Sequence, residues 1–204
     1  MPQSATVDAP ARAGRVALTF DDGPDREWTP RVLNVLAVRG ASATFFVMGP
    51  RASAHPGLIR RMVADGHEVA LHAERHVRHS ELDRDEIAQD ASAALARLAD
   101  IGVKPARWRT PWGVQTPDTE EVASELGLEL CGWTADSRDW TGDPAAQMLR
   151  RCAPDVVDGC VVLMHDGLRP GATRRDCAET VELTRRLIGL AADRGLRARS
   201  LEAR

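Results

Sequence analysis

The sequence predicts a single α/β domain: a parallel sheet covered by helices and closed, or nearly closed, into a small barrel. Short apolar runs alternate with helical stretches along the chain, and strand–helix alternation is how parallel sheets are built. Seven such β units within 204 residues suit the small end of the barrel size range. A doubly wound open sheet is the alternative, but no G-x-G-x-x-G opens the first helix and no Walker-type lysine loop is present.

The first strand is RVALTF (15–20), which runs directly into Asp21, Asp22 and a Gly-Pro turn. WTPRVLNVLAVRG follows with helical apolar spacing and stops at Gly40. ATFFVM (43–48) is the second strand. HPGLIRRMVADG repeats the helix plan, with His55 as a helix-start residue before Pro56 and Gly66 at the close. After the third strand, HEVALH (67–72), comes the clearest helix, LDRDEIAQDASAALARLADIG, which has an acidic first turn and ends on Gly102. ARWRT (106–110) is the fourth strand, and TPDTEEVASELG begins with Thr116 as N-cap and Pro117 at the first helical position. LELCGW (128–133), CVVLMH (160–165) and LRARSL (196–201) complete the strands, with the helix TVELTRRLIGLAADRG before the last.

A hydrophobic share of 43% and a charged share of 28% are ordinary for a soluble globular protein. The net charge of -3 gives no support to nucleic-acid binding. No apolar run approaches the roughly 20 residues that span a bilayer, so neither a nucleic-acid nor a membrane partner is expected, and the chain is expected to be a monomer. The opening MPQSATVDAPARAGR has no apolar h-region. Residues 1–14 are therefore expected to be a flexible tail before a catalytic domain over 15–204. A cytoplasmic location follows for the chain as written, and secretion if a leader has been removed. Cys131, Cys152, Cys160 and Cys177 show no C-x-x-C spacing, and Cys131 and Cys160 read as buried thiols in strand-like runs.

Both candidate folds collect function at the C-terminal ends of the strands. There the chain places Asp21 and Asp22, His72 with His76, Arg109, the group Asp136, Asp139 and Trp140, and His165 with Asp166. Alternating side-chain direction lets Asp21 and Asp22 hold different jobs. His72 and His76 have a chelating spacing, either on one helical turn or in a tight loop. With a carboxylate from another strand end they make a His2Asp set with an open position, suited to catalytic zinc or a similar divalent ion. Non-haem Fe(II) is an alternative, but it leaves the second aspartate, the arginine and the third histidine idle, whereas hydrolysis uses all of them.

TFDDGP, HAERH, RTPWG, DSRDW and VLMHD, in this order between about Leu18 and Asp166, resemble the motifs of the NodB-type polysaccharide deacetylases of carbohydrate esterase family four. The resemblance implies a distorted (β/α)7 barrel, TIM-like, and the hydrolysis of an N-acetyl amide on a sugar or glycan. It implies Asp21 as catalytic base, Asp22, His72 and His76 as metal ligands, and Arg109 as partner of the base. It also implies His165 as the acid that protonates the leaving amine, with Asp139 raising its pKa, and the Trp112 main-chain N–H as oxyanion donor. Trp140 and Leu163 match positions lining the acyl pocket, and Trp112 is also placed to stack on a sugar ring. The implied cofactor is a divalent metal, zinc first, with Co2+, Ni2+ or Mn2+ as alternatives. A two-limbed pH profile follows, with Asp21 below and His165 above.

Three positions depart from the family pattern: Leu71 where Asn is common, Ala73 where Ser or Thr can brace the metal loop, and Val77 where Pro often follows the second histidine. The substrate expected is an N-acetylated carbohydrate, with two alternatives: the same chemistry on a small intracellular amide or metabolite, or a catalytically silent glycan-binding barrel. His67 and His79 receive no role, and Asp136 and Asp166 are left between structural and supporting roles. The loop LRPGATRRD (168–176), with Arg169, Arg174 and Arg175, reads as solvated, its arginines a weaker pointer to an anionic substrate.

Overall fold

In the computed structural model, which describes residues 14–169 and 171–201, every strand pairing is parallel. The strands are β1 (Arg15–Asp21), β2 (Thr44–Met48), β3 (Glu68–Ala73), β4 (Arg107–Trp108), β5 (Glu129–Leu130), β6 (Ala135–Asp136), β7 (Val161–His165) and β8 (Arg197–Arg199). The helices are α1 (Trp28–Val38), α2 (Gly49–Ala54), α3 (Pro56–Ala64), α4 (Arg84–Asp100), α5 (Pro117–Leu126), α6 (Ala145–Cys152) and α7 (Ala178–Asp193). The sheet runs β5-β4-β3-β2-β1-β7-β6, and β8 pairs with the start of β1. This curled sheet is the distorted (β/α)7 barrel that the sequence predicts. Residues 1–13 of the expected tail lie outside the described residues; Gly14 accepts a hydrogen bond from the Arg197 N–H.

The seven predicted strands become eight because the fifth one breaks. Residues Glu129–Leu130 pair with β4, the chain steps across through 131–134, and it resumes as β6 against β7. Among the described residues no pairing joins β5 to β6, so the barrel has a seam there. Buried carbonyls in a seam still need partners. Arg109 supplies them, donating from Nε to the Cys131 carbonyl at 3.3 Å and from Nη2 to the Gly132 carbonyl at 2.6 Å.

Helix boundaries follow local chemistry. In α4, Asp83 accepts from the Glu86 N–H at 2.9 Å while the Glu86 carboxylate accepts from the Asp83 N–H at 3.0 Å, a reciprocal cap. Thr116 caps α5, Pro117 follows at its first position, and Gly127 ends it with φ +67°. The helices α2 and α6 are additions to the sequence reading; at six and eight residues they are too short for a periodic signal.

Period-two alternation divides the strands between two environments. Val16, Leu18, Phe20, Phe45, Val47, Leu71, Trp108, Val162 and Met164 face the helices and build the main core, each large side chain contributing about 1.5–3 kcal/mol on full burial. The residues between them point into the barrel, where the apolar filling is small: Phe46, Ala70 and Cys131. Below this layer Arg107 pairs with Glu68 at 2.5 Å. Above it lie Thr19, Arg109, Asp21, His72 and His165, all buried. The barrel thus concentrates polar side chains at one end, on backbones locked by the outer core. All four cysteines are free and buried, as the sequence reading has it for Cys131 and Cys160.

Candidate active site

Asp21 and His165 are register partners at the ends of β1 and β7, on neighbouring strands about 4.8 Å apart. A cavity of about 400 Å³ opens above them, lined by Asp21, His72, His76, Trp112, Trp140, Leu163 and His165. Asp22, Arg109 and Asp139 are buried immediately behind that lining. Every candidate site residue of the sequence reading therefore reaches one rim.

Strand alternation alone would turn Asp22 toward the helices. A left-handed backbone, φ +73°, brings it back to the rim. His72 follows the alternation that turns Ala70 into the barrel, and it stands where the β2–β3 register slips from Val47↔Leu71 to Met48↔Ala73, as the extra residue of a bulge. His72 Nδ1 donates to the Arg109 carbonyl at 2.7 Å, which fixes the ring and presents Nε2. The Nε2 atoms of His72 and His76 stand 3.3 and 3.2 Å from Asp22 Oδ1. Among the described residues no hydrogen bond of good geometry reaches either buried Asp22 oxygen. One ligand atom from each residue lies within 4.8 Å of the others. Burial would raise the Asp22 pKa, yet the two imidazoles hold it well below the ordinary carboxylate value. Burial would lower His72, yet Asp22 and Asp21 raise it. The two shifts describe one mutually stabilising carboxylate–imidazole cluster, and its donor set, two imidazole nitrogens and a carboxylate, fits a divalent cation.

Beside the cluster, Arg109 Nη1 donates to Asp21 Oδ1 at 2.9 Å and to Thr19 Oγ1 at 2.7 Å. The guanidinium is fully buried and lies 4.1 Å from the Phe46 ring centroid. With the two seam carbonyls it is a rigid bracket that orients one oxygen of Asp21.

Across the cavity, His165 Nδ1 donates to Asp139 Oδ1 at 2.6 Å, and the His165 N–H donates to Asp139 Oδ2 at 2.9 Å. Burial alone would depress His165, but the Asp139 carboxylate reverses this and carries it up to about 9. Burial likewise pushes Asp139 up, and His165 and Arg174 outweigh it, so its carboxyl stays well below the ordinary range.

The structure corrects the solvated reading of loop 168–176 at Arg174. Its side chain is 5% exposed and donates to Asp139 Oδ2 at 2.9 Å, to the His165 carbonyl at 2.9 Å and to the Gly167 carbonyl at 3.0 Å. Thr180 Oγ1 donates to the same Asp139 oxygen at 2.7 Å. Nothing in a Gly/Pro loop with several arginines distinguishes the buried one, so the sequence held no signal for it.

Aromatic residues form the walls. The Trp112 ring meets His76 edge-on at 4.1 Å between centroids and carries the Arg78 guanidinium at 4.5 Å. Arg78 thus already occupies a face of the ring proposed to stack on sugar. Trp133, absent from the sequence list, also lines the cavity. A Cβ on Gly113, at φ +66°, would meet the Trp133 ring at 2.5 Å, so this position requires glycine. Among the described residues the non-glycine residues at positive φ are Asp22, Trp112 and Arg138. All three belong to this rim, where backbone strain of about 1–3 kcal/mol each is typically held by surrounding structure.

The remaining residues also find places. His79 is buried and hydrogen-bonded to Thr119 at 2.9 Å, with burial pushing its pKa down to about 4. His67 Nδ1 accepts from the Ala43 N–H at the other end of the barrel, and His55 stands at the N-cap of α3. Asp136 lines the cavity, its pKa raised by burial. Asp166 lies fully buried and accepts from Thr29 Oγ1 at 2.5 Å; burial raises it to about 7.

The family profile for polysaccharide deacetylases matches residues 8–131. This chain belongs to that family. A chitooligosaccharide deacetylase of Sinorhizobium fredii is 38% identical over 210 residues, covering 98% of this chain and 94% of that protein. A peptidoglycan-N-acetylglucosamine deacetylase of Bacillus cereus is 30% identical over 164 residues, covering 79% of this chain and 77% of its own. In the solved structures, a family 4 carbohydrate esterase from Streptomyces lividans in complex with acetate superposes with a TM-score of 0.82 at 30% identity over 91% of both chains. The family profile ends at Cys131, but the Sinorhizobium relative and the Streptomyces structure extend the likeness over the segments holding Asp139 and His165. No helix among the described residues is long and apolar enough to cross a membrane.

Proposed function

We propose that this chain is a metal-dependent hydrolase that removes the N-acetyl group from an N-acetylated sugar in an oligosaccharide or glycan. The observation that carries the reading is the meeting, around one cavity, of the Asp22–His72–His76 cluster with the Asp21–Arg109 and His165–Asp139 pairs. A divalent cation held by Asp22, His72 and His76, with zinc the first choice, would polarise the acetyl carbonyl and lower the pKa of water beside it. Asp21, oriented by Arg109, takes a proton from the water that attacks the carbonyl carbon, help typically worth about 10²–10⁴-fold. The Trp112 N–H donates to the oxygen as it gains charge. His165 delivers its proton to the sugar nitrogen as the C–N bond breaks, which releases acetate and a free amine. Trp140 and Leu163 supply the apolar wall for the acetyl methyl.

The high coverage of the Sinorhizobium relative supports soluble N-acetylglucosamine oligomers as the first substrates to test. Acetate release from chitin oligomers, peptidoglycan fragments and monomeric N-acetyl sugars should be measured with added zinc and with a chelator. Release from an oligomer that stops with the chelator and returns with zinc is expected, together with its loss in Asp21→Asn and His165→Ala. Absence of acetate from every one of these substrates with zinc present would overturn the glycan reading.

A further inference from the structure

The His72–His76 spacing is chelating on a helix, but this segment is not helical. His72 and Ala73 end β3, and residues 74–78 form a bend and open loop. A helix would bring the two imidazoles together through its own hydrogen bonds; a loop needs another template. Ala73 offers no polar side chain for that purpose.

The template comes from α4. Its buried stripe is Ile87, Asp90, Ala91, Ala94 and Leu98, so a carboxylate occupies a position where the apolar period calls for an aliphatic residue. Burying a carboxylate is costly unless its oxygens are hydrogen-bonded. Asp90 is 4% exposed, and its oxygens are taken by the loop between the two histidines. Oδ2 accepts from the Glu74 N–H at 2.9 Å, and Oδ1 accepts from the Arg75 N–H at 3.0 Å and from Arg75 Nε at 3.1 Å. Two turns further along α4, Arg97 Nε donates to both Glu74 carboxylate oxygens, at 2.8 and 2.9 Å. The helix therefore grips the loop by its backbone and by a side chain.

We propose that Asp90 is a positioning residue for the metal centre: by accepting the main-chain N–H groups of Glu74 and Arg75, it folds the loop so that His76 Nε2 meets Asp22 and His72, and so sets the affinity for the cation. The inference rests on the three-ligand reading of the site. Outer partners of metal ligands typically carry 10–100-fold in metal affinity.

The test is zinc affinity of the full chain by competition with a chromophoric chelator, for wild type, Asp90→Ala and Asp90→Asn. Hydrogen exchange at the Glu74 and Arg75 amides and thermal melts of the metal-free proteins accompany it. Zinc binding weakened about 10–100-fold in Asp90→Ala and less in Asp90→Asn, with faster exchange at both amides, is the expected result. If Asp90→Ala does not fold, Asp90→Asn carries the comparison, because its amide keeps one acceptor. A lower melting temperature with zinc affinity within twofold of wild type would make Asp90 merely structural and overturn the proposal. A wild-type chain that binds no zinc would instead overturn the ligand set, and the role of Asp90 with it.

Discussion

Replacing Asp139 with asparagine should move the proton affinity of His165 across neutrality. Burial disfavours the imidazolium, and the Asp139 charge and its 2.6 Å hydrogen bond carry the pKa up to about 9. Against an ordinary histidine near 6.5 this is about 2.5 units, or ~3 kcal/mol in favour of the charged ring. Asp139→Asn keeps the shape and removes the charge, while burial and the Arg174 cation remain and both oppose the imidazolium. The weaker pull of Asp22 and Asp21 on the ring remains, so the His165 pKa should fall to about 6.5. At a pH one unit below the wild-type limb, a shift of that size takes the charged fraction from roughly nine-tenths to roughly 3%, so kcat falls about 30-fold. Histidine NMR of the metal-free protein reads the pKa, and acetate release between pH 5.5 and 10 reads the limb. In the zinc-loaded enzyme the limb starts lower, because the cation offsets the Asp22 charge that helps raise His165, but the direction of the change is the same. A uniform drop in kcat with the alkaline limb in place would refute the assignment of Asp139 as the group that tunes the acid.

The same pair predicts a pH dependence of stability. The folded pKa of His165 is raised, so its contribution is whole below about pH 6.5 and is lost as the pH climbs through about 9. That of Asp139 is depressed, so its contribution is whole above about pH 4 and is lost below. The melting-temperature gap between metal-free wild type and Asp139→Asn should accordingly be widest between about pH 4 and 6.5 and shrink toward pH 9; a constant gap would contradict the linkage. Arg109→Met strands a buried Asp21 and two seam carbonyls and should cost about 3–5 kcal/mol in urea unfolding, whereas a loss under about 1 kcal/mol would show that the bracket carries no weight.

How much of the site was legible depended on what holds each residue. Asp21, His72 and His165 end apolar runs, and a strand carries its last residue to the rim wherever the strand lies, so their meeting could be read from order along the chain. For Asp22 the sequence carries only part of the reason: alternation separates neighbouring carboxylates, but its left-handed backbone decides where it points. Arg174, Asp90 and Trp133 were not legible as site residues. Arg174 sits in a loop without periodicity, Trp133 closes the run LELCGW but lies in the step where that strand breaks, and Asp90 sits in an apolar stripe where its acid was the one local sign of a special role.

Apolar periodicity, glycine stops and the caps at Thr116 and Pro117 determined by themselves that this chain would form a helix-covered parallel sheet with its reactive groups at the C-terminal strand ends, because each is a local property of a strand or helix. Only the tertiary structure decided where the barrel would open, that Arg109 would bridge the open seam and Asp21 together, and that Arg174 and Asp90 would reach in from the loop before α7 and from α4. Those choices depend on which buried donors and acceptors find one another after packing, and no local period records that.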